Sequence, residues 1–230
     1  MTYEIIHSGS DGNATVINGS ILVDCGVPYS KLKPYVRGLK LVLLTHIHSD
    51  HFRKPTVRTL AHQRPTLRWV CCSWMVDSVV EQGVDKRNID IAMPRFNLSY
   101  RGIGTVSPFE THHNVPNCGW RIFCGNDSAL YATDLGDMDG IEAKGYGIYF
   151  LEANHTRAEI EAAVASAQET GEYTYRIKAA ENHLSQEQAI DWLAENMGPS
   201  SIWVPMHQHK DRGGKHDGVV RSASNPGETP

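Results

Sequence analysis

One short cluster of histidines constrains the fold of this chain more than any other part of its sequence. The cluster follows directly after Leu41–Leu44, an apolar run typical of a buried strand, and consists of His46, His48, Asp50 and His51. Four ionisable groups at a strand end are costly to desolvate unless they have partners. A loop that leaves a strand can turn side chains at these spacings toward one point. The pattern therefore predicts a sheet edge where ligands for a divalent metal ion converge.

The composition is that of a globular protein with a substantial core. The chain has 230 residues, of which 40% are hydrophobic and 21% charged. Its formal net charge of −4 gives no global field for nucleic acid or anionic membranes, so a polyanion must be held locally. No apolar run approaches the roughly 20 residues of a membrane span, no leader pattern begins the chain, and five cysteines lack a CxxC pair. We therefore expect a cytoplasmic protein with reduced thiols and no membrane partner.

Strand-like and helix-like segments alternate along the chain. Two helix patterns are clear, Arg157–Glu169 and Leu184–Glu195, and in the second Ser185 and Gln188 have the spacing of a capping box. In this helix we expect Ile190 and Leu193 to face the core. Mixed strands and helices of this kind indicate an α/β or α+β sandwich.

The domain organisation predicted from composition is simple. No linker or repeat interrupts residues 1–209, which indicates a single domain. Residues 210–230 are polar and contain several glycines and prolines. We expect this segment to be a flexible C-terminal tail.

Further candidate ligands stand where later strand-like runs end. They are His112 and His113, Asp134, Glu152 and His155, and His207. Several strands that each end in a histidine or an acid are typical of a site built on one edge of a sheet. With the first cluster, these residues provide enough donors for two metal ions.

The motifs resemble those of the metallo-β-lactamase superfamily. The string THIHSDHF is similar to the HxHxDH signature, and HSGSDGNATVI with ILVDCG resembles the N-terminal hairpins, where an aspartate like Asp24 ends a strand. ETHHNVPNCGWRI, YATDLG and VPMH resemble the later motifs in order and spacing. The resemblance spans nearly all of residues 1–209 and implies a four-layer αβ/βα sandwich of the α/β class.

The resemblance also implies a site for two divalent metal ions, with zinc expected and manganese as the alternative. The implied ligands are His46, His48, Asp50, His51, His113, Asp134 and His207. Asp134 matches the bridging ligand, and His113 matches the third motif better than His112 because NVPNCGW follows it. His112, His155 and His209 are then expected beside the site or at the surface.

Two further residues are similar to one branch of the superfamily. Glu152 in LEANH and His183 in HLSQEQA resemble the acid and the His-Ser/Thr motif of RNase Z and of related phage and Gram-positive exonuclease-like proteins. The resemblance implies a phosphodiesterase in which His183, oriented by Glu152, protonates the leaving oxygen. Asp50, placed to orient the attacking water, completes the catalytic set. A strand-end salt bridge for Glu152 and a position before a helix cap for His183 are the alternatives.

The expected substrate is a phosphodiester in a nucleotide, cyclic ones included, or at a nucleic-acid end. The segment between His51 and His113 is too short for the inserted domain of β-CASP enzymes, and no arm like that of RNase Z is present, so long structured RNA is not expected. A basic run after the metal motif is either a phosphate site or a solvated helix face; it comprises Arg53, Lys54, Arg58, Arg64 and Arg68.

Two other function classes stay open at the level of sequence. A metal-dependent hydrolase of lactones, thioesters or β-lactams would share the metal motifs without needing Glu152 and His183. A non-catalytic nucleotide-binding module is the other, although an open two-metal site is inherently hydrolytic. A homodimer, common among the proteins that the motifs resemble, is a further expectation.

Overall fold

Two β-sheets form the centre of the computed structural model, which describes residues 1–170, 181–208 and 220–222. In the described residues the first sheet comprises β1 (Thr2–His7), β2 (Ala14–Ile17), β3 (Ile21–Val23), β4 (Leu41–Leu43), β5 (Arg68–Cys72), β6 (Ile89–Ala92) and β13 (Val220–Ser222), in the order β13-β1-β2-β3-β4-β5-β6. The second comprises β7 (Leu98–Tyr100), β8 (Gly104–Thr111), β9 (Asn117–Cys124), β10 (Asp127–Ala132), β11 (Ile148–Glu152) and β12 (Ile202–Met206), in the order β12-β11-β10-β9-β8-β7.

Each sheet combines antiparallel and parallel pairs. Strands β1, β2 and β3 pair antiparallel, and β3, β4, β5 and β6 pair parallel. In the second sheet β7 to β10 are antiparallel, whereas β10, β11 and β12 are parallel. Parallel neighbours deliver their carboxyl ends to one edge, so the segments after β10, β11 and β12 emerge side by side.

Helices cover the outer faces of both sheets. In the described residues these are α1 (Tyr29–Leu32), α2 (Lys54–Gln63) and α3 (Val76–Glu81) on the first sheet and α5 (Gln186–Asn196) on the second; α4 (Arg157–Thr170) precedes α5 in the chain. One apolar cluster lies between the sheets, where Trp120 and Phe150 are fully buried. A second joins the first sheet to α2 through Leu60, and a third joins the second sheet to α5 through Leu193. The four-layer sandwich that the resemblance implied is confirmed.

The entry to α5 follows from its sequence. Ser185 Oγ accepts from the Gln188 backbone N–H at 3.1 Å, and Gln188 Oε1 accepts from the Ser185 N–H at 2.9 Å. The predicted capping box is therefore confirmed, and it fixes the segment in front of the helix. The prediction for Ile190 was wrong, because its side chain is 47% exposed and Ala189 takes the buried position one turn before Leu193.

The predicted tail falls mostly outside the described residues. Its residues Val220–Ser222 pair antiparallel with Thr2 to Glu4 of β1. Among the helices that the structure describes, none is long and apolar enough to cross a membrane.

Gly26, after β3, lies directly beneath the loop that carries the first histidine cluster. A Cβ at this position would lie 1.6 Å from the Asp50 carbonyl oxygen and 2.8 Å from the Asn13 backbone nitrogen. We expect Gly26→Ala to lower the free energy of unfolding by about 1–3 kcal/mol or more, because backbone atoms must move apart. Urea unfolding measures this, with Gly198→Ala as the control, since its Cβ would meet no atom closer than 3.6 Å. Equal stability of the two variants would contradict this packing.

Candidate metal centre

The ends of strands from both sheets meet at one site. The loop after β4 carries His46 to His51, and β8, β10 and β12 are followed by His113, Asp134 and His207. Side chains of His46, His51, Asp134 and His207 are at most 3% exposed. The edge of the sandwich therefore holds a buried group of nitrogen and oxygen donors. The structure brings together all seven residues predicted as ligands.

The first group of ligand atoms comprises His46, His48, His113 and Asp134. His46 Nε2 lies 3.1 Å from His48 Nδ1, which lies 3.3 Å from His113 Nε2. Asp134 Oδ2 lies 3.3 Å from His46 Nε2. Ligands at about 2.0–2.1 Å from a tetrahedral zinc ion are separated by roughly 3.3–3.4 Å, so these spacings fit one such ion.

The second group comprises Asp50, His51, Asp134 and His207. Asp134 Oδ2 is 3.2 Å from His51 Nε2, and Asp134 Oδ1 is 3.3 Å from His207 Nε2. Asp50 Oδ2 is 3.6 Å from both of these ring nitrogens. One carboxylate, that of Asp134, thus faces both groups, as expected of a ligand that two metal ions share.

Polar atoms without partners show that the residues fit a metal ion. Asp134 Oδ1 and His207 Nε2 are buried and have no hydrogen-bond partner in the described chain. Three site residues also have backbone φ angles in the left-handed region: Asp24 at 60°, Asp134 at 56° and His207 at 49°. Such strain persists where the surrounding structure holds it for a function. Imidazole and carboxylate donors suit zinc, and a carboxylate-containing set also accommodates manganese.

A buried aspartate orients His51. Asp24 Oδ2 accepts from His51 Nδ1 at 2.7 Å, so Nε2 is the nitrogen that faces the ligand group, where Asn13 Nδ2 lies 2.8 Å from it. Asp24 Oδ1 also accepts from the Thr45 backbone N–H and from Thr45 Oγ1, each at 2.9 Å. Sequence reasoning missed Thr45, although its place between the buried strand and His46 was visible.

The buried Glu152 and the partly buried His183 form a second pair beside the ligands. Glu152 Oε1 accepts from His183 Nδ1 at 2.7 Å, and Oε2 accepts from the Leu135 backbone N–H at 3.0 Å. Burial lowers the pKa of His183, but the Glu152 carboxylate outweighs burial and raises it above its ordinary value. The Glu152 contact therefore favours the protonated ring, in which Nδ1 is held by the carboxylate and Nε2 is the other proton-bearing nitrogen.

The same carboxylate also holds His207. Glu152 Oε1 lies 3.1 Å from His207 Nδ1, and the rings of His183 and His207 are stacked with centroids 5.0 Å apart. Sequence reasoning connected Glu152 with His183 alone. The strand pairing of β11 with β12, which places Glu152 opposite Met206, explains the second contact.

Three histidines expected beside the site or at the surface have different positions. The side chain of His112 is 74% exposed and its Nδ1 lies 2.9 Å from Asp137 Oδ2. His155 is 9% exposed, and its Nδ1 has no hydrogen-bond partner among the described residues. His209 lies outside the residues that the structure describes. Neither His112 nor His155 contributes to a ligand group.

Most side chains of the basic run after the metal motif form hydrogen bonds or ion pairs with other residues of this chain. Arg58 donates to Gln82 Oε1 at 2.8 Å, Arg64 donates to the Leu39 carbonyl at 2.8 Å, and Arg68 is paired with Asp90. These three side chains bridge α2 and β5 to neighbouring segments. The whole run therefore does not form one phosphate site. Within the described part of the chain, the side chains of Arg53 and Lys54 bridge no such neighbouring segments.

Metal binding to this site is expected to release protons. Burial lowers the pKa of His207, but Asp134, Asp50 and Glu152 together raise it to about 10 in the metal-free chain. Burial also lowers the pKa of His51, but the carboxylates of Asp134 and Asp24 outweigh burial and raise it well above its ordinary value. A metal ion needs the neutral rings, so we expect at least one proton to be released per chain at pH 7 and metal affinity to fall as pH falls.

Titration calorimetry in buffers of different ionisation enthalpy measures this release. His62→Ala, an exposed substitution in α2, should leave the proton count unchanged. Metal binding without any proton release at pH 7 would contradict the close contacts between these rings and carboxylates.

Comparison with known proteins gives one sequence match and several structural ones. A family model described as a β-lactamase superfamily domain matches residues 20–208. A search of curated proteins finds no match.

Three solved structures share the fold over nearly the whole chain. The short form of human tRNase Z is 15% identical, with 97% of this chain and 100% of that chain covered and a TM-score of 0.71. A diphosphatase from the PhnP family is 16% identical, with 96% of both chains covered and a TM-score of 0.63. Zn²⁺-bound PqqB from Methylobacterium extorquens is 12% identical, with 96% and 100% covered and a TM-score of 0.64. At these identities the likeness shows the fold alone.

Proposed function

Because the chain belongs to the β-lactamase superfamily, we propose that it is a two-metal hydrolase that cleaves a phosphodiester bond in a nucleotide or at a nucleic-acid end. The observation that carries the proposal is the His183–Glu152 pair, 2.7 Å between Nδ1 and Oε1, beside the two groups of histidine and aspartate ligands that share Asp134. With Asp134 and His207 this pair also forms a third group of donor atoms, and we assign it the proton-donor role. Metal ligands alone serve many kinds of hydrolysis. A positioned proton donor beside them favours a substrate with a poor leaving oxygen.

The ligand groups would hold two divalent ions, with zinc expected. When bound, such ions supply Lewis acidity that activates water near neutral pH and offsets the charge of a phosphodiester. The Zn²⁺ in the related PqqB structure supports zinc as the metal.

Asp50 is suited to orient the attacking water. Burial raises the pKa of its carboxyl, but the neighbouring His207 and His51 rings outweigh burial and lower it. An ionised carboxylate with one oxygen toward the ligand nitrogens has its other oxygen available to accept from water. Asp50 thereby places the lone pair of that water toward the substrate.

His183 is suited to protonate the leaving oxygen. Its Nδ1 hydrogen bond to Glu152 fixes the ring, and Glu152 itself is held by the Leu135 and Leu184 backbone N–H groups. The remaining nitrogen, Nε2, can give its proton to the departing alkoxide. A tRNase and a diphosphatase among the structural relatives, both named for phosphate chemistry, support this choice of bond.

A substrate panel distinguishes this function from the alternatives. One metal-loaded preparation would be tested on a dinucleotide, cyclic nucleotides, end-labelled single-stranded DNA and a lactone. We expect turnover of phosphodiesters and none of the lactone, with His62→Ala equal to the unaltered chain. Lactone turnover alone would favour an ester or lactam hydrolase, and nucleotide binding without turnover would favour a binding module.

A further inference from the structure

The backbone of His207 is held on both sides by side chains from other segments. Its N–H donates to Ser8 Oγ at 2.7 Å, and its carbonyl accepts from Asn154 Nδ2 at 2.9 Å. This residue has a φ of 49°, in the left-handed region that residues with a Cβ seldom adopt. The two hydrogen bonds therefore stabilise a conformation that His207 would otherwise leave.

The two partners are themselves fixed by the fold. Ser8 follows β1, and Asn154 stands two residues after β11. The Asn154 backbone N–H donates to the Leu184 carbonyl at 2.9 Å, which ties it to the segment in front of α5. The Asn154 side chain is also buried, since the residue is 8% exposed. The backbone hydrogen bond and the burial therefore fix the position of the Asn154 amide beside His207.

The orientation of the His207 ring depends on this backbone. His207 Nδ1 lies 3.1 Å from Glu152 Oε1 and donates its proton to that oxygen. Asn154 Nδ2 lies 3.2 Å from the same ring nitrogen, but because that nitrogen carries a proton, the amide donates to the His207 carbonyl. Nε2 then points at Asp134 Oδ1, 3.3 Å away. A turn of the His207 backbone into the ordinary right-handed region would carry the ring out of the second ligand group.

We propose that Asn154 and Ser8 are positioning residues that set His207 as a ligand for one of the two metal ions. His207 belongs to the group with Asp50, His51 and Asp134 and to a further group with Asp134, Glu152 and His183, and it is absent from the group with His46, His48 and His113. Loss of either hydrogen bond should therefore weaken one ion and spare the other. The inference uses the metal sites of the proposed function but not its choice of substrate.

The experiment measures two metal dissociation constants on the full chain, with Co²⁺ absorption and a competing chelator as the readout. For Asn154→Ala and for Asn154→Asp, which keeps the volume but removes the amide donor, we expect one dissociation constant to rise about 10–100-fold. The other should change less than about threefold. His207→Ala should weaken the same ion, and Asn97→Ala, at an exposed position, should change neither.

A serine series keeps the test decisive if the Asn154 variants fail to fold. Ser8→Ala should weaken the same ion, and Ser8→Thr, which retains the hydroxyl, should restore it. Folded variants with both constants unchanged would overturn the proposal, as would equal weakening of both ions or an unaltered chain that binds fewer than two. If the variants lost one ion selectively but the unaltered chain hydrolysed no phosphodiester, the positioning role of Asn154 and Ser8 would be supported. The proposed function alone would then be contradicted.

Discussion

Asp134→Ala is expected to release both metal ions and to reduce phosphodiester turnover to the background rate. The reason is that Asp134 takes part in both ligand groups, with Oδ2 near His46 and His51 and Oδ1 near His207. Its removal also leaves several buried imidazoles without the carboxylate that they face. Elemental analysis of the dialysed protein and turnover of a dinucleotide measure the two effects.

Two further variants make this result specific. Asp134→Asn keeps the shape of the side chain and tolerates the φ of 56°, so it should fold while binding metal poorly. Asp77→Asn makes the same chemical change at an exposed position on α3 and should alter neither metal content nor turnover. If Asp134→Asn retained two ions and full turnover, the shared-ligand assignment would be wrong.

His183→Ala should retain both metal ions and lose turnover by about 10²–10⁴-fold on a natural phosphodiester. The expected loss depends on the leaving group. In a 4-nitrophenyl phosphodiester the leaving group is 4-nitrophenolate, which departs without a proton. Turnover of this substrate should therefore change far less. Metal analysis beside these two rates separates a proton donor from a ligand, because loss of an ion would indicate that His183 holds metal instead.

The pH profile gives a second readout of the same assignment. Glu152 raises the pKa of His183, and a general acid must be protonated, so turnover of a natural phosphodiester should fall as pH rises through that raised value. His183→Ala should lack this alkaline limb, and His62→Ala should keep it. Full turnover of a dinucleotide by His183→Ala would exclude the proton-donor role.

Much of the site could be predicted because its residues stand at the ends of apolar runs. The cluster from His46 to His51 follows a buried strand, and Asp134 and His207 do the same later in the chain. Strand periodicity thus places each residue at a sheet edge, while the motif resemblance supplies their grouping. The capping box at Ser185 is likewise a local pattern that sequence alone reveals.

Features that depend on tertiary contacts could not be predicted in the same way. Arg58, Arg64 and Arg68 form a basic run in sequence, but their partners come from distant segments. Ile190 fits a helical stripe, yet the angle at which α5 packs buries Ala189 instead. The hydrogen bond from the Asn154 side chain to the His207 carbonyl joins the segments after β11 and β12. These segments become neighbours only when the two strands pair.

Turnover of a dinucleotide as a function of bound metal decides whether this chain is a two-metal phosphodiesterase. The metal-free chain would receive zinc in increments, with bound ions and rate measured on the same samples. We expect negligible turnover without metal and a rate that rises until two ions are bound per chain and then stays constant. Full turnover with one ion or none, or no phosphodiester hydrolysis with two ions bound, would contradict it.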